Sequence, residues 1–98
     1  MRDAARRAAS YVADITLEEF RASTMRQDAV MHCLSVIGEA AKWVEPETRE
    51  RLPEIEWRRI IGMRNFLMHE YWSTDINMVW ETAHDKLVPL IRAIESLP

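Results

Sequence analysis

The sequence contains little cysteine, glycine and proline, and each scarcity excludes a class of protein. Its 98 residues include one Cys, two Gly and four Pro. A single cysteine cannot form an intrachain disulfide, which excludes a disulfide-stabilised secreted domain and favours a reducing cytosol. So few turn-forming residues argue against a sandwich of short strands and against a disordered chain. The sequence therefore predicts an all-α protein that acts in the cytoplasm.

Membrane segments and an overall basic charge are also missing. No apolar run approaches the roughly 20 residues that span a bilayer, and no signal-peptide pattern precedes the first helix, so we expect no membrane association. The formal net charge of -3 excludes a nucleic-acid-binding protein of strongly basic composition, although a local basic site near "WRRIIGMR" stays open. A chain of this length predicts one small domain over residues 1–98, whose marginal size favours oligomerisation.

Hydrophobic periodicity predicts four principal helices and one or two short ones. The first covers about residues 2–15; because it opens without a capping residue, we expect its head to be truncated. Thr16 and Glu19 form a capping box that starts a short second helix. The third helix runs through "RQDAVMHCLSVIGEAAKWV" and carries an apolar face wide enough to contact two neighbours. Cys33 lies on that face, where core packing is the expected role.

The second half of the chain alternates connectors and helices. The polar segment "EPETRERLPEIEW" predicts a connector with one helical turn, and helix four resumes near Ile55 and ends near Met68 or His69. "YWSTD" predicts a turn, with Asp75 as the N-cap of the last helix. Pro89 inside that helix predicts a kink. Its expected buried residues are Ile76, Val79, Trp80, Ala83, Leu87, Leu90 or Ile91, and Ile94. Short connections between such helices predict a four- to five-helix up-and-down bundle.

An arginine interrupts the apolar stripe of helix four. The stripe is expected to contain Trp57, Ile60, Ile61, Leu67 and Met68. Arg64 lies in its centre, where a guanidinium must find a carboxylate, extend to the edge or face a cleft that binds an anion. Glu39 of "IGEAA" is the candidate carboxylate. Such a contact would fit a purely structural ion pair and equally a charge that orients Arg64 within an active site.

The polar residues that follow Arg64 suit phosphoryl transfer on RNA. Asn65 and His69 lie one turn apart on one face, whereas Arg64 and His69 are separated by about 140° around the helix axis. A long arginine or a second chain can close that gap. Histidine moves protons near neutral pH, and arginine stabilises charge on phosphate oxygens. A symmetric dimer would supply both the base and the acid that the reaction needs, without a metal ion.

Other kinds of chemistry find no support in the sequence. His32 has no Cys or His at ligand spacing, so a metal role is improbable, and "HE" at His69 lacks the second histidine of a zincin motif. No P-loop, CxxC pair or nucleophile elbow is present, so no cofactor is expected.

The stretch "MRNFLMHEY" carries the pattern Arg-x4-His-x-Tyr and resembles the signature of the HEPN superfamily, specifically the HepT-like toxins of prokaryotic toxin–antitoxin pairs. "DAVMHCLSVIGEAAKWV", "PEIEWRRIIGMRN" and "DINMVWET" resemble the HepT pattern in the same order, so the likeness covers nearly the whole chain. The resemblance implies a HEPN-like dimeric bundle whose motif lines a cleft at the dimer interface. One departure is Glu70, where the family frequently carries Gly.

The resemblance also implies roles for individual residues. Arg64 and His69 would be the catalytic pair of a metal-independent endoribonuclease, and Asn65 would support them. The partner would be a nucleotidyltransferase antitoxin that transfers AMP from ATP to Tyr71, which would place a phosphate and a base in the cleft beside His69. The chain would then be the toxin of a type II toxin–antitoxin system.

Two non-enzymatic interpretations compete with the ribonuclease. One is a noncatalytic helical dimer that binds nucleotide or RNA through Arg64 and docks a nucleotidyltransferase; its binding would survive the loss of His69. The other is a purely structural dimerisation bundle, in which Arg64 would be buried against Glu39. The ribonuclease predicts instead that His69 is essential and that Arg64 faces solvent across a dimer axis.

Overall fold

A computed structural model describes residues 1–96, with the backbone alone at Ile94. The helices are α1 (Arg2–Ala13), α2 (Leu17–Arg21), α3 (Thr24–Lys42), α4 (Pro46–Arg51), α5 (Trp57–Glu70), α6 (Ile76–Glu81) and α7 (Val88–Glu95). A 3₁₀ turn over Tyr71–Ser73 follows α5, and a π-helical turn over Thr82–Lys86 joins α6 to α7. The described residues contain no strand, so the predicted all-α bundle is confirmed. Within them, every helix is too short or too polar to cross a membrane.

Capping residues set several of these helix boundaries. Thr16 and Glu19 form the predicted capping box: the Glu19 amide donates to Thr16 Oγ1 at 3.1 Å, and the Thr16 amide donates to Glu19 Oε1 at 2.9 Å. Asp75 caps α6 as predicted, because its Oδ1 accepts a hydrogen bond from the Asn77 amide at 2.9 Å. Pro46 occupies the start of α4, where its missing N–H is not needed.

The core forms around α3, which packs against α5 on one side and α1 on the other. This arrangement explains the wide apolar face of α3. Small buried side chains on α1 let the two backbones approach closely; they are Ala4, Ala5 and Ala8. Cys33 is buried in this core, as predicted, and burial raises the pKa of its thiol. From the last part of the chain, the core receives Val79, Ala83, Leu87 and Leu90, while the Ile94 side chain lies outside the described residues.

The buried face of α5 differs from the predicted stripe. Ile60 and Leu67 are buried as expected, but Met68 is 58% exposed and Met63, which the prediction omitted, is buried. The face that enters the core therefore follows the spacing of residues 60, 63 and 67. Because the helix is rotated toward Met63, Arg64 and Met68 lie at the edge of the helix beside α3 rather than in the core.

The predicted single last helix is not continuous up to Pro89, because a π-helical turn interrupts it before the proline. The Leu87 amide donates to the Thr82 carbonyl at 3.0 Å, five residues back, which widens the turn between α6 and α7. Pro89 then falls in the first turn of α7, where its missing N–H leaves no helix hydrogen bond unmade. The π-helical turn thus accommodates the proline by restarting the helix.

Candidate active site

Arg64 projects from α5 at a point where this helix passes very close to Gly38 of α3. A Cβ built on Gly38 of α3 would lie 2.2 Å from the Arg64 Cβ and 2.9 Å from the Ile60 carbonyl oxygen. Real Cβ atoms do not approach other atoms so closely, so only glycine fits at position 38 without moving a helix. The crossing fixes the start of the Arg64 side chain relative to α3.

The guanidinium of Arg64 is held by two neighbours. Its Nη2 lies 2.9 Å from Glu39 Oε2, and its Nη1 donates to Asn65 Oδ1 at 3.2 Å. Glu39 Oε2 is buried and accepts no aligned hydrogen bond within the described residues, so its contact with Arg64 is a close ion pair. The Arg64 side chain keeps 21% of its surface exposed. Five N–H donors are available on a guanidinium, so these contacts orient the group and leave donors for an anion.

An open groove beside Arg64 runs between α3 and α5. It has a volume of about 480 Å³. Its lining comes from His32, Ser35, Val36, Glu39, Ala40, Arg64 and Met68. The residues from α3 recur at helical spacing, so they form one stripe that faces the Arg64 side of α5. The groove therefore brings a cation, a carboxylate, a hydroxyl and an imidazole to one concave surface.

His69 lies in the last turn of α5 and is exposed. It makes no hydrogen bond or ion pair with any residue that the structure describes, and it does not line the groove that contains Arg64. The chain turns directly after it: the hydroxyls of Ser73 and Thr74 each donate to the Glu70 carbonyl at 3.2 Å, and Ser73 also contacts Glu70 Oε2 at 3.2 Å. Glu70 thus holds the turn closed, and the His69 imidazole is free.

Tyr71, in the 3₁₀ turn, reaches back to α3. Its hydroxyl donates a hydrogen bond to the carboxylate of Asp28, and its ring meets Trp72 edge-on with centroids 5.6 Å apart. The hydrogen bond to Asp28, with burial and the carboxylate charge as smaller causes, raises the pKa of Tyr71 to about 12. The bond favours the protonated phenol because a phenolate could not donate to a carboxylate. It also ties the turn after His69 to the first half of α3.

The Tyr71–Asp28 bond predicts how the tyrosine titrates. We expect Asp28→Asn to lower the Tyr71 pKa from about 12 toward the ordinary value of 10.0. Because the folded pKa is the higher one, the bond stabilises the fold fully below pH 10, and this stabilisation is lost as the pH rises toward 12. Phenolate absorbance measures the titration in a Tyr11→Phe background, which leaves one tyrosine. Asp85→Asn is the control; equal midpoints in all three proteins would contradict the assignment.

Arginines are frequent between residues 49 and 64, and one of them stabilises the fold through hydrogen bonds. Arg49 donates hydrogen bonds to the carbonyls of Ala41, Lys42 and Val44, so it satisfies the C-terminal end of α3. Arg51 and Arg58 stay exposed. Within the described residues, no three His, Cys, Asp or Glu side chains lie close enough to hold a metal ion. The proton-transfer and anion-binding groups described above are the chemistry that this surface offers.

Comparison with known proteins agrees with this geometry. A family model described as Ribonuclease HepT-like matches residues 1–97. The chain belongs to the HepT-like ribonuclease family. Its membership classifies it as a ribonuclease, and the resemblance predicted from the motif is confirmed at the level of the family.

Several relatives share about a third of their residues with this HepT-like chain. "Probable ribonuclease HepT" of Thermococcus cleftensis is 32% identical over 87 residues, which cover 89% of the chain and 79% of that protein. "Putative RNase MJ0125" of Methanocaldococcus jannaschii is 35% identical over 88 residues, covering 90% and 76% respectively. "Putative RNase TTE0752" of Caldanaerobacter subterraneus is 31% identical over 86 residues, covering 88% and 77%. No solved structure matches the chain significantly.

The HepT-like site contains residues that the sequence predicted and others that it did not. The structure brings Arg64, Glu39 and Asn65 together, and it leaves His69 outside the lining of the groove that contains Arg64. Asp28, Gly38 and Ser35 were not predicted. The spacing of residues 28, 32, 35 and 39 on α3 is the signal that could have indicated them, because it forms one polar stripe at the edge of an apolar face.

Proposed function

We propose that this HepT-like chain is the toxin of a prokaryotic type II toxin–antitoxin system and acts in the cytoplasm as a metal-independent endoribonuclease. Its site would be the Arg-x4-His-x-Tyr motif at an interface between two copies of a single domain over residues 1–98. The observation that carries the proposal is the state of Arg64, which is oriented by Glu39 and Asn65 and still opens onto a groove. Arg64, His69 and Asn65 are the proposed catalytic residues.

The proposed reaction is attack of a ribose 2′-hydroxyl on the adjacent phosphodiester. The O2′–P bond forms, the P–O5′ bond breaks, and the products end in a 2′,3′-cyclic phosphate and a 5′-hydroxyl. One group removes the 2′ proton and another protonates the leaving 5′ oxygen. Arg64 stabilises the charge on the phosphoryl oxygens, with Asn65 and Glu39 holding its orientation. The exposed His69 supplies one of the two proton transfers.

A second copy of the chain supplies His69 to the groove in this proposal. Arg64 and His69 point about 140° apart on one helix, so a phosphate bound at Arg64 is better reached by His69 of another copy. Two exposed apolar side chains, Val36 and Met68, line the groove and favour such an interface, because a partner copy would cover them.

Tyr71 is the proposed target of a nucleotidyltransferase antitoxin. Transfer of AMP from ATP to the hydroxyl, with pyrophosphate as the leaving group, removes the hydrogen that now bonds Asp28 and brings a phosphate charge to a carboxylate. Like charges repel, so the modified side chain must leave α3 and carry the nucleotide toward the His69 side of the turn. A blocked site is the expected result.

The ion pair between Arg64 and Glu39 also favours a second candidate function. A carboxylate in the groove weakens its attraction for RNA and suits a noncatalytic dimer that binds nucleotide or RNA and docks a nucleotidyltransferase. In that case, RNA binding would survive His69→Ala and no cleavage would occur in the wild-type protein.

Mixing two inactive variants tests the shared site. Arg64→Ala and His69→Ala are each expected to lose cleavage of a mixed RNA pool. After subunit exchange, about half of the dimers contain one variant of each kind, and each such dimer keeps one intact site, so activity returns to about a quarter of the wild-type level. Native mass spectrometry confirms the exchange. Mixed dimers that stay as inactive as their parents would contradict the shared site.

A further inference from the structure

The groove beside Arg64 contains a histidine, His32, to which the proposed reaction has assigned no role. His32, on α3, is exposed and lines the same groove as Arg64, Glu39 and Met68. It makes no hydrogen bond or ion pair with the residues that the structure describes, so its imidazole is not committed to the fold. Its neighbour in sequence, Cys33, carries the packing role at this turn of α3.

A comparison of the three histidines separates His32 from the others. His84 stacks on Trp80 with ring centroids 5.0 Å apart, and its Nδ1 lies 2.9 Å from Asp85 Oδ1, so it is partnered outside the groove. His69 is free but does not line the groove of its own chain. His32 is therefore the histidine that one chain places in the same cavity as Arg64.

The position of His32 on α3 also suits a phosphodiester bound at Arg64. Glu39, which pairs with Arg64, lies seven residues after His32, so the two Cα atoms are about 10 Å apart along the helix axis. His32 and Arg64 both line the groove, whose volume of about 480 Å³ can admit a phosphodiester beside them.

We propose that His32 is the second proton-transfer residue of the ribonuclease site, acting with Arg64 of its own chain and His69 of the other copy. This inference rests on the proposed function. Cleavage needs one group that accepts the 2′ proton and one that returns a proton to the 5′ oxygen, so two imidazoles in opposite protonation states complete the reaction with no net change in protons. A second copy of His69 is then not required at the same phosphodiester.

Two charged groups line the groove together with His32 and affect how the cleavage rate depends on pH. They are Glu39 on α3 and Arg64 on α5, both in the groove. Asp28 lies one turn earlier on α3 and is hydrogen-bonded to Tyr71. A limb of a bell-shaped rate profile is therefore assigned to a histidine only when that limb disappears in the variant of that histidine.

The test compares variants of His32 with matched changes at the other two histidines. We expect His32→Ala to reduce kcat for RNA cleavage by about 10² to 10⁴-fold and to remove one limb of the pH profile of kcat/KM. His32→Lys keeps a positive charge that does not titrate near neutral pH, so it should be as inactive as His32→Ala while KM changes little. His84→Ala should cleave like the wild type.

Three outcomes overturn the inference or its foundation, and they are distinguishable. If His69→Ala is inactive and His32→Ala cleaves with an unchanged pH profile, His32 has no proton-transfer role. If His32→Lys is fully active, the residue contributes charge alone, and the inference is wrong. If the wild-type protein does not cleave RNA, the proposed function itself fails.

A further experiment mixes Arg64→Ala with His32→Ala. Because both residues act in the groove of one chain, activity should not return.

Discussion

Replacing His69 by alanine is expected to reduce RNA cleavage by about 10² to 10⁴-fold, the usual contribution of a general acid or base. The imidazole is exposed and makes no hydrogen bond or ion pair with the described residues, so the variant should unfold at the same denaturant concentration as the wild type. Loss of activity without loss of stability is the signature of a catalytic side chain. The measurement is the initial rate on a mixed RNA pool at saturating substrate.

His84→Ala is the matched control for His69→Ala. It removes the same side chain from an exposed position, but His84 is partnered by Trp80 and Asp85, away from the motif. Cleavage by this variant should equal that of the wild type. If both histidine variants lost activity equally, the loss would reflect a general property of the chain and would remove the ground for assigning catalysis to His69.

The second large effect is expected at Gly38. An added methyl group there would meet the Arg64 Cβ at 2.2 Å and the Ile60 carbonyl at 2.9 Å, and neither atom can rotate away. Gly38→Ala must therefore separate α3 from α5, which costs about 1 to 3 kcal/mol of unfolding free energy despite the higher helix propensity of alanine. The shift also moves Arg64 away from Glu39. We expect lower stability and strongly reduced cleavage together.

The other glycine of the chain provides the control for this prediction. Gly62 lies in α5, and a Cβ built there meets no atom within 4 Å. Gly62→Ala should therefore stabilise the protein by roughly 0.5 to 1 kcal/mol, because it gains helix propensity without a clash. Urea unfolding of both variants measures the difference. A Gly38→Ala protein as stable as Gly62→Ala would show that the helices do not cross as described.

Local signals in the sequence predicted most of the fold. The capping box at Thr16 and the cap at Asp75 form because they involve residues only two or three positions apart, so no tertiary information is needed. The wide face of α3 likewise follows from periodicity. The interruption of the helix before Pro89 could not be predicted in detail. A proline removes one helix hydrogen bond, and the sequence alone does not determine whether the helix then bends or ends and starts again.

Of the contacts around the candidate site, the sequence predicted the one between Arg64 and Glu39 and missed the one between Tyr71 and Asp28. The pairing of Arg64 with Glu39 followed from the need to neutralise a guanidinium beside a core. The exposure of Met68 could not be predicted, because a small rotation of α5 about its axis decides whether Met63 or Met68 enters the core. Asp28 as the partner of Tyr71 required the path of the turn after α5, which depends on hydrogen bonds from Ser73 and Thr74 to Glu70.

Glu70 accepts hydrogen bonds within the turn that follows α5. Glu70 stands where the family frequently carries Gly, so it adds a side chain and a negative charge to the turn after His69. The structure shows its carbonyl and carboxylate accepting hydrogen bonds within the turn. The Ser73 hydroxyl therefore partly satisfies the Glu70 carboxylate, and these hydrogen bonds hold the turn that separates His69 from Tyr71.

The most direct test of the central claim is RNA cleavage by the wild-type protein in excess chelator, with intact mass measured first to select protein whose Tyr71 is unmodified. The proposed site needs only side chains, so cleavage should continue at the rate seen without chelator and leave fragments with 2′,3′-cyclic phosphate ends. RNA that stays intact in chelator, or that is cut only after a divalent cation is added, would contradict the proposed mechanism.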